Sequence, residues 1–235
     1  MPESRRDEIA SGLAEVRERI RQAAAGAGRE PTDVTLVVVT KTWPASDLRL
    51  LHDLGVRDVG ENRHQEAEEK AAELADLEFT WHFVGQVQSN KATHIAAYAD
   101  TVHSVDSVRV AQRLNAGAHQ HERELDCFIQ VNLDPEAARK GRGGVVAAEV
   151  DDVAHAIETA GRLRLVGVMG VAPLDADAVA AYADLHETSE RLVARYPSAR
   201  FISAGMSGDF EAAIRAGATH VRVGSAVLGQ RALLR

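Results

Sequence analysis

Short apolar runs alternate along this chain with longer segments of helical spacing. The run from Val34 to Lys41 is almost entirely β-branched or aliphatic, which predicts a strand buried on both faces, as in a parallel sheet. Before it, apolar residues recur at helical intervals from about Ser4 to Ala25, which predicts a helix. Ser4 and Asp7 have the spacing of a capping box at the start of that helix.

The alternation continues to the end of the chain. Seven more strands, each followed by a helical segment, are predicted at 56–60, 79–85, 101–104, 126–132, 163–171, 201–204 and 221–224. Eight strand–helix units in one series predict an α/β fold of the (β/α)8 TIM barrel type, with an extra N-terminal helix. No Ser/Pro/Gly-rich linker interrupts the series, so we expect residues 1–235 to form a single domain. An open doubly wound sheet is the alternative, but its Gly-x-Gly-x-x-Gly turn is absent after the first strand.

Polar residues stand where the predicted strands end, and in a barrel the carboxyl ends of the strands carry the chemistry. Lys41 ends the first strand, just before Trp43 and Pro44. A lysine in an apolar setting loses solvation, and its neutral amine can form a Schiff base with a carbonyl. The alternative is a lysine that lies at the sheet edge with its ammonium group in water.

The ends of the seventh and eighth strands predict a phosphate site. Barrels often bind phosphate in these two loops, at the start of a short helix. Ser207 stands between two glycines and can cap the next helix or donate its hydroxyl to phosphate. Gly224 and Ser225 offer consecutive backbone N–H groups, although both turns are also compatible with ordinary glycine-rich loops. Arg222 is expected to point into the barrel mouth, where it faces a ligand or forms an ion pair.

Other candidates have two interpretations each. Asn62 can hold a ring hydroxyl or cap its helix. His82, like His103, can contact a ligand or be a hydrogen-bonded histidine of the core. The basic loop from Arg139 to Gly144 can gather anions, but the favoured interpretation is a solvated loop. The ten histidines show no His-Glu-x-x-His spacing, so no metal is expected.

Composition excludes several classes of function. The formal net charge of −8 argues against general binding to nucleic acids or anionic membranes, which requires a basic surface. One cysteine, Cys127, excludes a disulfide framework within the chain and lies in an apolar run, where it is expected to be buried and inert. No segment has the character of a signal peptide or a membrane span. We therefore expect a soluble cytoplasmic protein.

Several motifs together resemble one known family. They occur in order along nearly the whole chain: Val39-Thr40-Lys41-Thr42, Gly60-Glu61-Asn62-Arg63, Trp81-His82-Phe83-Val84-Gly85, His103-Ser104-Val105-Asp106, Gly205-Met206-Ser207 and Val221-Arg222-Val223-Gly224. The chain is similar to the YggS/PROSC family of pyridoxal phosphate homeostasis proteins. Thr40 stands where serine is usual in that family, and Arg63 stands where an aromatic residue is frequent. The expanded basic loop also departs from the pattern.

The resemblance implies a fold-type III barrel like the N-terminal domain of alanine racemase, with pyridoxal 5'-phosphate (PLP) as cofactor. By position, Lys41 matches the lysine that forms the aldimine with PLP. Arg222 matches the arginine that faces the pyridine nitrogen, and the phosphate site consists of Ser207, Gly224 and Ser225. The remaining cofactor contacts expected from the matched motifs are Asn62, His82 and Met206.

The resemblance also implies a role in cofactor storage or delivery and in amino/keto-acid balance, without established catalytic activity. No second β-rich domain is expected, and such a domain belongs to the racemases of this fold type. We therefore expect a monomeric carrier of PLP, with PLP-dependent apo-enzymes as possible recipients and no catalytic residues. Two alternatives stay open: a small PLP-dependent amino-acid racemase or lyase, and a barrel enzyme that uses Lys41 on a phosphorylated sugar.

Overall fold

A closed barrel of eight parallel strands forms the centre of the computed structural model. The structure describes residues 4–134, 143–173 and 177–230. Each strand pairs with its neighbours in chain order, and the first strand closes the barrel by pairing with the eighth, with Val37 beside Arg222. This confirms the predicted TIM barrel and excludes the open doubly wound sheet.

The strands are short and follow the predicted apolar runs. They are β1 (Thr35–Val39), β2 (Asp58–Glu61), β3 (Thr80–Phe83), β4 (Thr101–Val105), β5 (Leu125–Gln130), β6 (Leu163–Met169), β7 (Phe201–Ser203) and β8 (His220–Val223). Six of them end one or two residues before the predicted boundary, because the last residues of those runs leave the sheet for the loops at the barrel mouth. β1 in particular ends two residues before Lys41.

Helices surround the barrel on the outside. They are α1 (Arg5–Gly26), α2 (Ala45–Asp53), α3 (His64–Glu73), α4 (Ala92–Ile95), α5 (Val108–Gln120), α6 (Val150–Glu158), α7 (Ala178–Arg195), α8 (Phe210–Arg215) and α9 (Ser225–Leu228). The predicted capping box at the start of α1 is present: the side chain of Ser4 accepts from the N–H of Asp7, whose carboxylate accepts from the N–H of Ser4. The buried face of α1, which includes Ile9 and Leu13, packs on the last elements of the chain.

The apolar core lies mainly between the outer faces of the strands and the helices. One cluster centres on β4 to β6 with α5 to α7, and a second centres on β1, β2 and β8 with α1 and α2. Cys127 is fully buried in the first cluster, as predicted, and burial raises the pKa of its thiol. None of the helices in the described ranges combines the length and apolar composition needed to cross a bilayer.

Candidate functional site

A cleft of about 390 Å³ opens at the mouth of the barrel, where the carboxyl ends of β1, β7 and β8 meet. Its lining includes seven of the eight residues that the sequence assigns to a cofactor: Lys41, Asn62, Met206, Ser207, Arg222, Gly224 and Ser225. These residues come from four different strand ends of the chain. The fold therefore brings together side chains that are up to 184 positions apart, counted from Lys41 to Ser225.

Lys41 lies in a turn beyond the end of β1, and its side chain is exposed. The expectation of a lysine inside an apolar setting was therefore wrong. Thr42, the next residue, has a φ of +67°, in the left-handed region that non-glycine residues seldom adopt. This turn directs Lys41 to the cleft, where its amine is accessible to a small carbonyl compound.

A buried ionic cluster holds this turn in place. The ammonium group of Lys70, on α3, lies 2.7 Å from a carboxylate oxygen of Glu61 and 2.7 Å from one of Glu66, and it donates to the Thr40 carbonyl at 2.9 Å. The Thr40 hydroxyl donates to the same Glu61 oxygen at 2.6 Å, and the backbone N–H of Thr42 donates to Glu66. Burial raises the pKa of Glu61, while Lys70 and Thr40 lower it. The residues on both sides of the candidate lysine are thus tied to α3.

The two serines of the predicted phosphate site face each other. The hydroxyl of Ser225 donates to that of Ser207 at 3.1 Å, and Ser207 also accepts from the backbone N–H of Ala226 at 3.4 Å. Ser207 therefore caps the start of α9, whereas α8, the helix that follows it in the chain, begins after Asp209. The hydroxyl pair and the start of α9 form one polar patch at this side of the cleft.

Asp209 and Tyr182 shape the loop that carries Ser207. One carboxylate oxygen of Asp209 accepts from the N–H of Met206 at 2.6 Å, and the other accepts from the Tyr182 hydroxyl at 2.7 Å. Burial and the neighbouring carboxylate raise the pKa of Tyr182, so its hydroxyl keeps the proton that it donates. Tyr182 stands in the middle of α7 with the spacing of an ordinary core residue, so the sequence pattern did not indicate this role.

Asn62 presents a side-chain oxygen that is buried and has no hydrogen-bond partner among the described residues. The predicted alternative, a helix cap, does not apply, because Arg63 occupies the cap position of α3. Gly85 permits this arrangement, since a Cβ at that position would lie 2.1 Å from the Asn62 carbonyl oxygen. Buried polar atoms without a partner are uncommon in native proteins. Asn62 is one of the residues that line the cleft.

Arg222 forms the floor of the cleft and is almost completely buried. Its guanidinium donates to the Ser203 hydroxyl at 2.6 Å and to the Gly170 carbonyl at 3.0 Å. Burial lowers its pKa to about 10, so it remains a cation at neutral pH. Neither of these two acceptors is a carboxylate. The contacts therefore differ from the predicted alternative in which Arg222 forms an ion pair.

A chain of hydrogen bonds continues from Arg222 through the barrel interior. Ser203 lies 2.8 Å from His103, His103 lies 2.8 Å from His82, and His82 lies 3.0 Å from the Asp58 carboxylate. Arginine can only donate and a carboxylate can only accept. One direction therefore satisfies every member: Arg222 to Ser203, then to His103, to His82 and to Asp58. In this arrangement each ring accepts at Nδ1 and donates through Nε2.

The structure does not bring His82 into the cleft. It is a buried, hydrogen-bonded histidine of the barrel interior, which was the other interpretation of the sequence, and the same holds for His103. Burial lowers the pKa of His103 well below its usual value, and the neighbouring Arg222 acts in the same direction. Gly143 and Gly144 of the basic loop are described, but Arg139, Lys140 and Arg142 lie outside the described residues.

Comparison with known families identifies the broad class of this barrel. The family of the alanine racemase N-terminal domain matches residues 12–232, which is almost the whole chain. The barrel and a cleft at its carboxyl-terminal mouth agree with a domain of this type.

Curated relatives identify the family within this class. The pyridoxal phosphate homeostasis protein of Pseudomonas aeruginosa is 42% identical over 95% of this chain and 96% of its own length. That of Mycobacterium tuberculosis is 40% identical over 97% of this chain and 95% of its own length. PipY of Synechococcus elongatus, solved with PLP bound, superposes with a TM-score of 0.81 at 34% identity and covers 94% of this chain and 100% of that chain. The chain therefore belongs to the pyridoxal phosphate homeostasis protein family.

Proposed function

We propose that this protein binds PLP in the cleft at the barrel mouth and holds it for storage or delivery within the cell. The observation that carries the proposal is that one cleft is lined by an accessible amine, a pair of hydroxyls and Asn62, whose amide oxygen has no hydrogen-bond partner among the described residues. PipY, a relative of known structure, binds the same cofactor. All these groups come from one chain, so the proposal requires only a monomer.

Each predicted residue has a role in this binding mode. When bound, PLP supplies an aldehyde that condenses with amines and a pyridine ring that accepts electrons. Lys41 supplies the amine that retains the aldehyde carbon. The hydroxyls of Ser207 and Ser225 would donate hydrogen bonds to the phosphate, together with backbone N–H groups at the start of α9. Met206 contributes apolar surface beside them.

Two further residues orient the ring. Asn62 offers its buried oxygen to the ring hydroxyl, which provides the hydrogen bond that this oxygen lacks within the described chain. Arg222 faces the ring nitrogen as a donor, because a guanidinium cannot take up a further proton. A nitrogen that meets a donor stays unprotonated, and this weakens the ring as an acceptor of electrons.

The lining of the cleft favours a carrier over a racemase or lyase. Among the described residues that line it, Lys41 and Arg222 are the only titratable side chains, and no carboxylate, imidazole, phenol or thiol accompanies them. A racemase needs an acid–base group on each face of the substrate carbon. We therefore expect no significant uptake of deuterium at the α-carbon when amino acids are incubated with the PLP-loaded protein in deuterated water. Rapid uptake that Lys41→Ala abolishes would make the protein an enzyme.

The covalent attachment is tested with the Lys41→Ala variant. The PLP-loaded protein is expected to absorb visible light and to carry one PLP per chain after borohydride reduction, with the label on the peptide that contains Lys41. The variant should lose the label. Lys91→Ala is the matched control, because Lys91 lines a neighbouring pocket at the barrel mouth. Labelling of Lys91 or Lys140 in place of Lys41 would contradict the assignment.

Delivery is tested separately from binding. The PLP-loaded protein should restore activity to a PLP-dependent apo-enzyme in the presence of a trap for free PLP. If reactivation is no faster than with an equal amount of free PLP under the same trap, the protein stores the cofactor without delivering it.

A further inference from the structure

We propose that His64, Glu68 and His94 form a binding site for a divalent transition-metal ion, such as Zn²⁺, between α3 and α4. The three side chains can each place one ligand atom so that all three atoms lie within 4.8 Å of one another. His64 and Glu68 are one turn apart on α3, and His94 comes from α4. The site is separate from the PLP cleft and does not depend on the proposed function.

The distances suit a small ion with little rearrangement. His64 Nε2 lies 3.6 Å from a carboxylate oxygen of Glu68, and the ring centres of His64 and His94 are 5.3 Å apart. Ligand atoms at about 2 Å from a tetrahedral ion lie roughly 3.3 Å from one another. Glu68 and His94 are exposed, so rotation of their side chains closes the remaining gap, while the buried His64 stays fixed.

The buried setting of His64 fixes its ring, with Nε2, and not Nδ1, as the nitrogen that faces Glu68. Its side chain is 8% exposed, and Nδ1 is buried without a hydrogen-bond partner among the described residues. The stacked ring of Tyr98, with centroids 6.0 Å apart and planes at 15°, covers one side of the imidazole. Buried imidazoles are normally hydrogen-bonded or bound to a metal.

The ligand types indicate which ions bind. Two imidazoles and one carboxylate suit Zn²⁺ and its neighbours in the first transition series, whereas Mg²⁺ and Ca²⁺ prefer oxygen ligands. Three protein ligands leave a position for water or a further ligand.

The test uses the untagged full-length protein, stripped of metal with a chelator and then titrated with Zn²⁺ in competition with a chromophoric chelator. We expect one Zn²⁺ per chain, with at least tenfold weaker binding in both Glu68→Gln and His94→Ala. These two residues are exposed, and circular dichroism confirms that the variants fold. His186→Ala is the matched control: His186 and Glu190 form a similar pair one helical turn apart, 3.7 Å between ligand atoms, without a third ligand among the described residues.

Co²⁺ provides a second measurement, because a bound ion with low coordination number has a visible absorption band of higher intensity than the hydrated ion. That band should appear with the unaltered protein and disappear in His94→Ala. The proposal is overturned if no saturable Zn²⁺ binding occurs, if Glu68→Gln and His94→Ala bind as the unaltered protein does, or if His186→Ala loses as much affinity as they do.

Discussion

Ser207 accepts two hydrogen bonds within the chain, from Ser225 and Ala226, and it still lies at the surface of the cleft. A hydrogen bond to a charged group contributes roughly 1.5–3 kcal/mol. We therefore predict that Ser207→Ala weakens PLP binding by about tenfold or more, measured by equilibrium dialysis. Ser198→Ala is the control, because Ser198 is exposed in the segment before β7, at the opposite end of the barrel. Equal affinities in both variants would remove phosphate binding from this loop.

The structure explains the glycine at position 224 differently from the sequence analysis. A Cβ at this position would lie 3.0 Å from the carbonyl oxygen of Val39 and 3.4 Å from its Cβ. A side chain therefore presses first on the end of β1, close to the Lys41 turn. We predict that both variants lower the retention of PLP and that Gly224→Val lowers the melting temperature more than Ser207→Ala does. Thermal unfolding without cofactor measures the difference, and an unchanged melting temperature for Gly224→Val would contradict it.

The residue types of the site were predictable from the sequence, but their surroundings were not. Strand ends bearing glycine, serine and basic residues indicated the cleft, because a barrel gathers the ends of its strands. The exposure of Lys41 matches the alternative interpretation, a lysine at the edge of the sheet, because β1 ends at Val39 and Lys41 lies in the turn beyond it. The sequence did not decide between two locations for His82. A histidine among aromatic residues has the same pattern whether it lies inside a barrel or at its mouth.

At the level of elements, α3 is attached to the end of β1 through the Lys70 cluster. Removal of one partner from a buried ion pair leaves an uncompensated charge and costs about 3–5 kcal/mol. We predict that Lys70→Met destabilises the protein by this amount and also loosens the turn that carries Lys41, so that PLP is lost faster. Urea unfolding and the rate of PLP release measure the two effects.

Arg49→Met is the control for Lys70→Met, because the ion pair of Arg49 with Asp76 lies at the surface and such pairs contribute about 0–1 kcal/mol. A second change, Glu61→Gln, should restore part of the stability of Lys70→Met, because it removes the carboxylate that was left without its partner. If Lys70→Met is as mild as Arg49→Met, the cluster does not position the turn.

The helices and strands themselves followed from the periodicity of apolar residues, and all eight strands were predicted with small errors at their ends. The contacts that join these elements were not predictable in the same way. Lys70 and Glu61 are nine positions apart with a turn between them, and no periodic pattern links them. Such pairs depend on how a helix is placed on the barrel, which the sequence pattern leaves open.

At the scale of the whole molecule, polar side chains cross the barrel from Asp58 at its amino end to Arg222 at its mouth. His220 adds a further imidazole inside the barrel, where its ring packs edge-on against Phe128 and Phe201 at centroid distances of 5.3 Å. Burial lowers the pKa of His220 to about 4 and that of His103 well below its usual value. The folded protein therefore keeps both rings neutral under mildly acidic conditions, while in the unfolded chain they bind protons near pH 6.5.

This difference predicts a loss of stability in weak acid. As the pH falls below 6.5, the unfolded state binds more protons than the folded state, so the free energy of unfolding decreases with falling pH. Each histidine that stays neutral in the folded protein lowers the free energy of unfolding by roughly 2 kcal/mol when the pH falls from 7 to 5. Urea unfolding at the two pH values measures the change.

His220→Phe removes one such group and should reduce the pH dependence by about half of the effect of the two histidines. His155→Ala, which alters a histidine exposed on α6, should leave it unchanged. A free energy of unfolding that stays constant between pH 7 and pH 5 would contradict neutral histidines inside the barrel, and with them the direction of the hydrogen-bond chain that positions Arg222.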